Sequence, residues 1–133
     1  MDKKPYILNC GKVIMIELRT GSINFSKIRG NGPGTKEKFF NFTRPVHQAV
    51  AILTGTSFGF SEDDDHHLGS INVRLSTSTD DDVVIVEGTF GVRDWSGSWD
   101  DKYEGTVYFA VIAEVQIPVP RASTLVPAEK FRI

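Results

Sequence analysis

Apolar and polar residues alternate with a period of two along most of this chain. Ile14, Ile16 and Leu18 interleave with Met15, Glu17 and Arg19, and Ile71, Val73 and Leu75 with Asn72, Arg74 and Ser76. Val84, Val86, Phe90 and Val92 are set against Ile85, Glu87, Thr89 and Arg93. Val107, Phe109, Val111, Ala113 and Val115 are set against Thr106, Tyr108, Ala110, Ile112 and Glu114. Successive side chains of a strand point to opposite faces, so each pattern sends one set into a core and the other towards solvent or a neighbour. Residues 46–53 differ, being apolar in both phases: Val46, Gln48, Val50 and Ile52 against His47, Ala49, Ala51 and Leu53. That predicts a central strand covered on both faces. No segment sustains a helical period, and one helical turn is expected at Lys36–Phe39.

The punctuation fits strands. Gly30-Asn31-Gly32-Pro33-Gly34 reads as a loop, Ser61–Gly69 as a polar loop, Ser78–Asp82 as a turn and Ser96–Gly105 as a longer turn. Strands separated by turns at short intervals predict an all-β fold, an antiparallel β-sandwich of about six to seven strands. The 133 residues suit one sandwich domain over residues 1–117 with an extended tail over 118–133. Pro118, Pro120 and Pro127 cannot donate ladder hydrogen bonds. The tail's Val119, Leu125, Val126, Phe131 and Ile133 need a surface, on their own domain or on a neighbouring subunit.

Composition narrows the class. The chain is 40% hydrophobic and 24% charged, as globular domains are. A net charge of −2 gives no basic footprint, which argues against a nucleic-acid partner. Cys10 is the sole cysteine, so no intrachain disulfide forms, and its ordinary role is a small apolar residue beside Gly11. Residues 1–20 do not read as a signal peptide, because Asn9, Gly11 and Lys12 break the apolar stretch. No apolar run approaches the roughly 20 residues that span a bilayer. The expectation is a cytoplasmic or non-classically exported protein without a membrane span. The sequon Asn41-Phe42-Thr43 carries little weight without a secretion signal.

The chemistry points to binding. Arg74, Trp95 and Tyr108 place a planar cation, an indole and a phenol on or at the ends of strands expected to be neighbours. Arg forks onto hydroxyls and aromatic rings cover apolar C–H faces, a set that suits a glycan or glycoconjugate. The turn from Asp94 to Gly105 adds Trp99, Tyr103, Asp100, Asp101 and Glu104, so it is either a recognition loop or a hairpin in which one Trp closes the core. The candidate ligand-binding residues are Arg74, Asp94, Trp95, Trp99 and Tyr108. Acidic loops offer Asp63, Asp65, Asp100 and Asp101 as weak calcium ligands, with Asp80-Asp81-Asp82 in a further turn. They lack the regular spacing of a dedicated calcium loop, and solvated turns that cap strands are the simpler reading. His66 and His67 face opposite sides of an extended chain and do not share a zinc. No cofactor is expected, calcium being the one candidate. No nucleophile elbow and no phosphate-cradling glycine loop before a helix occur, which argues against an enzyme.

These motifs, in their order, resemble the H-type lectins, the family of snail agglutinins and discoidin C-terminal domains. The resemblance runs from about Arg19 to Val115: Arg19-Thr20-Gly21-Ser22-Ile23, Phe40-Asn41-Phe42-Thr43-Arg44-Pro45-Val46, Asn72-Val73-Arg74-Leu75, Asp94-Trp95 and Val107-Tyr108. It implies a sandwich of about six antiparallel strands, a homotrimer, and shallow sites for N-acetylgalactosamine-like sugars between subunits. Carried over by position, Arg74 would hydrogen-bond the sugar, Trp95 would flank it and Tyr108 would pack near the trimer seam. Two positions depart from the family: Ser96 follows Trp95 where His is common, and the loop Gly30–Lys36 has no Asp. The expectations are therefore a carbohydrate-binding adhesion module, multivalent through trimerisation; a structural or receptor-binding subunit of a larger bacterial or phage complex; and, third, a calcium-dependent adhesion domain.

Overall fold

A computed structural model describes residues 5–7, 13–28, 32–60, 67–96, 99 and 102–117. The strands are β1 (Pro5–Ile7), β2 (Val13–Ile28), β3 (Gly34–Asn41), β4 (Val46–Phe60), β5 (Ser70–Asp80), β6 (Val83–Arg93) and β7 (Tyr103–Ile117). They form a four-stranded sheet, β1-β2-β7-β4, and a three-stranded sheet, β3-β6-β5. Every pairing is antiparallel, and the described residues contain no helix. The fold is an all-β antiparallel sandwich. The expected tail over 118–133 and Cys10 lie outside the described residues.

The core forms where the alternation is strictest. Val84, Val86, Phe90 and Val92 of β6 face Val107, Phe109, Val111, Ala113 and Val115 of β7, all buried, with Ile23 and Phe25 of β2 completing the layer. Aromatic rings lock the two sheets together: Phe25 and Phe90 lie 5.4 Å apart, Phe90 and Tyr103 5.9 Å, and Phe40 meets Phe109 edge-on at 5.9 Å. Packing here leaves no spare volume. A Cβ on Gly105 would strike the Phe90 ring and lie 2.6 Å from the Ser57 carbonyl oxygen.

Long side chains close both seams of the sandwich. On one side two of the core-facing positions of edge strand β3 are lysines, Lys36 and Lys38, opposite Gly88 and Val86 of β6. Lys36 Nζ donates to the Asn24 carbonyl at 2.7 Å and Lys38 Nζ to the Ser22 carbonyl at 3.1 Å. Arg19 reaches back from β2 to the Asn41 carbonyl at 3.4 Å, its guanidinium 4.5 Å above the Phe42 ring. Inward-pointing charge on an edge strand satisfies exposed carbonyls and discourages pairing with another chain. On the other side the Thr77 hydroxyl donates to the Ala49 carbonyl at 3.0 Å, tying β5 to β4.

Two expectations are corrected. Lys36–Phe39 lies in strand β3, not in a helical turn. Its core-facing residues include lysines, so the apolar period that marks a strand is missing. The strand over residues 46–60 is not central; β4 is the outer strand of its sheet. Its second apolar phase is left uncovered: Val50 is 49% and Ile52 46% exposed.

Candidate functional site

The strand order gathers the long connections at one pole. The β2–β3, β4–β5 and β6–β7 connections leave the sandwich there, while the opposite pole has the short β3–β4 link and the two-residue β5–β6 turn. In that turn Asp81 adopts a positive φ of 56°, which Asp tolerates better than most residues. Its carbonyl accepts from Val46 N–H and that of Asp82 from Phe42 N–H, both at 2.8 Å. The turn backbone thus anchors the neighbouring connection, a structural role.

At the long-loop pole the two tryptophans part company. Trp99 is half-buried against the core, 6.2 Å from the Tyr103 ring, with the Arg93 guanidinium 5.5 Å over it. A Cβ on Gly91 would meet the Trp99 ring at 2.8 Å and Pro33 Cα at 2.9 Å, so Trp99 seals the end of the sandwich. Trp95, by contrast, is 79% exposed. It is presented by a short turn in which Asp94 Oδ1 accepts from the backbone N–H (2.8 Å) and the hydroxyl of Ser96. Gly69 holds the base of that turn: its N–H donates to the Arg93 carbonyl at 2.9 Å, and a Cβ would lie 2.7 Å from Trp95 N.

Arg74, Trp95 and Tyr108 do not converge within one copy. Arg74 stands opposite Thr89 on the outer face of the three-stranded sheet. Four residues separate it from Ser70, which pairs with Arg93 at the pole, a distance of about 13 Å along the strand. Tyr108 stands on the outer face of the four-stranded sheet, between Ser22 and Gly55. The strands of Arg74 and Tyr108 were expected to be neighbours; they belong to different sheets, whose outer faces point away from each other.

The outer face of the four-stranded sheet changes character along its length. Leu18, Ile112 and Val50 align in one row and Thr20, Ala110 and Ile52 in the next. Leu18, Val50, Ile52 and Tyr108 are all exposed, giving an apolar band. Beyond Tyr108, towards the long-loop pole, the rows turn polar: Asn24, Thr106 and Ser57 align, followed by Glu104 opposite Gly59. Here lies a groove of about 350 Å³, lined by these residues with Phe58, Phe60 and Gly105. Asn24 Nδ2 donates to Thr106 Oγ1 at 2.9 Å across its floor. Asn24, Ser57 and Thr106 were not among the sequence candidates, because polar residues in the outward phase of a strand look like ordinary solvated positions.

A smaller cleft of about 150 Å³ marks the outer face of the other sheet, lined by Glu37, Ser76, Ser78, Ile85 and Glu87. Glu37 and Glu87 are directly opposite each other there. Among the described residues no group of three or more His, Cys, Asp or Glu is placed to hold a metal. Asp63, Asp65, Asp100 and Asp101, the weak calcium candidates, lie outside the described residues, as does His66. Among the described residues no helix is long and apolar enough to cross a membrane. No family model matches the chain, and neither does any curated protein or solved structure.

Proposed function

We propose that the protein is a non-enzymatic carbohydrate-binding module that works as a homo-oligomer, a divergent relative of the H-type lectins, with a trimer as the expected assembly. The observation behind this reading is the apolar band of Leu18, Val50, Ile52 and Tyr108 on an outer face of the sandwich. A monomeric soluble domain rarely exposes a continuous apolar surface without using it, and the bands of three copies gathered about a three-fold axis would cover one another. Association would set identical binding sites side by side, so weak single-site affinities multiply on a glycan-bearing surface. It also gives the dispersed residues a shared place. Tyr108 belongs to the band, and a site that includes Arg74 and Trp95 with it is one assembled between copies. The test pairs light-scattering mass measurement with a glycan array on the same sample. A trimer that binds glycans is expected; a monomer that binds none refutes the proposal.

A second reading keeps the assembly and drops the sugar: a structural or receptor-binding subunit of a larger bacterial or phage complex. The missing Asp in Gly30–Lys36 and the separation of Arg74 from Trp95 favour it. It predicts an oligomer that ignores every glycan and co-purifies with a larger particle.

A further inference from the structure

We infer that the groove on the four-stranded sheet, between Tyr108 and the long-loop pole, holds one neutral saccharide unit within a single copy. This rests on the carbohydrate-binding reading and gives it a site that needs no second subunit.

Shape comes first. Gly59 stands opposite Glu104 and Gly55 opposite Tyr108, both on β4 in the outward phase. A Cβ on either would meet nothing within 4 Å. Missing side chains along the edge strand therefore open one side of the groove, whose volume of about 350 Å³ lies at the small end of ligand pockets.

Chemistry decides the ligand class. Among its described lining residues the groove offers the carboxylate of Glu104, the amide of Asn24 and the hydroxyls of Ser57 and Thr106. Since Asn24 Nδ2 donates to Thr106 Oγ1, the Thr106 hydroxyl hydrogen, the Asn24 side-chain Oδ1 and the second Nδ2 hydrogen are left for a ligand. A carboxylate accepting two hydroxyl hydrogens, next to donors for a third oxygen, matches a vicinal diol. Phe58 and Phe60 also line the groove but pair with the buried Gly105 and Tyr103, in the inward phase of β4, so the outer floor itself is polar. Among the described residues no Lys or Arg lines the groove. Glu104 would repel a phosphate or an acidic sugar.

The test uses the full chain, labelled with ¹⁵N, and titrations with methyl α-mannoside, methyl β-galactoside and N-acetylgalactosamine. At least one should shift the amide signals of Asn24, Ser57 and Thr106. Glu104→Gln and Asn24→Ala should each weaken it by about tenfold, the loss of one or two ligand hydrogen bonds. Gly59→Leu, which has open space to occupy, should block the groove with the spectrum otherwise native. Glu37→Gln, exposed on the other sheet, should leave these shifts in place. If sugars bind but shift only the surroundings of Arg74 and Trp95, and the groove variants bind as the wild type does, the groove assignment is wrong while the carbohydrate reading stands. If no sugar binds the wild-type chain at millimolar concentration and the glycan array is also blank, both fall together.

Discussion

The Tyr103 hydroxyl donates a hydrogen bond to the Gly32 carbonyl at 2.8 Å, fastening the glycine loop before β3 to the first residue of β7. Gly32 has a φ of 76°, a left-handed conformation that glycine adopts without strain, and its carbonyl is thereby turned to the phenol. Burial pushes the Tyr103 hydroxyl above the ordinary tyrosine range, with a backbone hydrogen bond at Gly34 pulling the other way. The folded chain therefore holds this proton more tightly than the unfolded chain. The stability gained is fully present below roughly pH 10, the unfolded value, and is lost as pH rises through the folded value. Tyr103→Phe should cost about 1 kcal/mol at neutral pH for the lost bond. It should also flatten the alkaline decline. Urea unfolding of both proteins at neutral and alkaline pH tests this; parallel declines would show that another group governs the alkaline limb.

Gly105 and Gly55 make a matched pair for testing how tightly the two faces are packed. Gly105 is buried, with the Phe90 ring and the Ser57 carbonyl where a Cβ would sit. Gly105→Ala should destabilise by about 1–3 kcal/mol, since ring and backbone must both move. Gly55 meets nothing within 4 Å. Gly55→Ala should be neutral or stabilise by up to about 1 kcal/mol, because the unfolded chain loses freedom. Equal effects at the two sites would contradict the packing described.

What the sequence disclosed follows from which strands are central. The cores of β6 and β7 were legible because each buries one face fully, so Val84, Val86, Phe109 and Val111 fall in strict phase. Strand β3 was not, because Lys36 and Lys38 occupy two of its core-facing positions and use their charge to cap β2 carbonyls. Strand β4 was legible as a strand but misplaced: an apolar second face signals cover without saying whether a sheet or another copy supplies it. That one tryptophan of the Asp94–Gly105 turn could close the core was an alternative the sequence offered, but not which of Trp95 and Trp99 it would be. Four residues apart in one turn, they look equivalent until Pro33 and Gly91 close around one of them. The groove could not be seen at all, since Asn24, Ser57 and Thr106 come from three strands aligned only by register.

The outer face of the three-stranded sheet carries a local conflict. Glu37 and Glu87 face each other directly on β3 and β6, both exposed. Like charges so placed repel, and opposite charges attract by about 0.2–1 kcal/mol. Glu37→Lys should therefore raise the unfolding free energy by an amount in that range, and the gain should shrink as salt screens the pair. A destabilised variant, or a gain insensitive to salt, would mean that the two side chains do not interact.

The apolar band makes the strongest demand on the assembly. Val50 and Ile52 are about half exposed on edge strand β4, in line with Ile112 and Ala110. A lysine at either position has solvent for its ammonium in an isolated copy, so Val50→Lys with Ile52→Lys should fold. At an interface between copies, however, each ammonium would be stripped of water without a partner, which costs several kcal/mol. On the proposed assembly, the wild type should run as an oligomer and the double variant as a monomer. Its affinity for a free monosaccharide in the groove should be unchanged, whereas its retention on a densely glycosylated surface should fall by about 10²–10⁴-fold as multivalency disappears. A variant that keeps the wild-type mass would place the interface elsewhere. One that becomes monomeric yet holds the glycan surface as before would separate assembly from recognition.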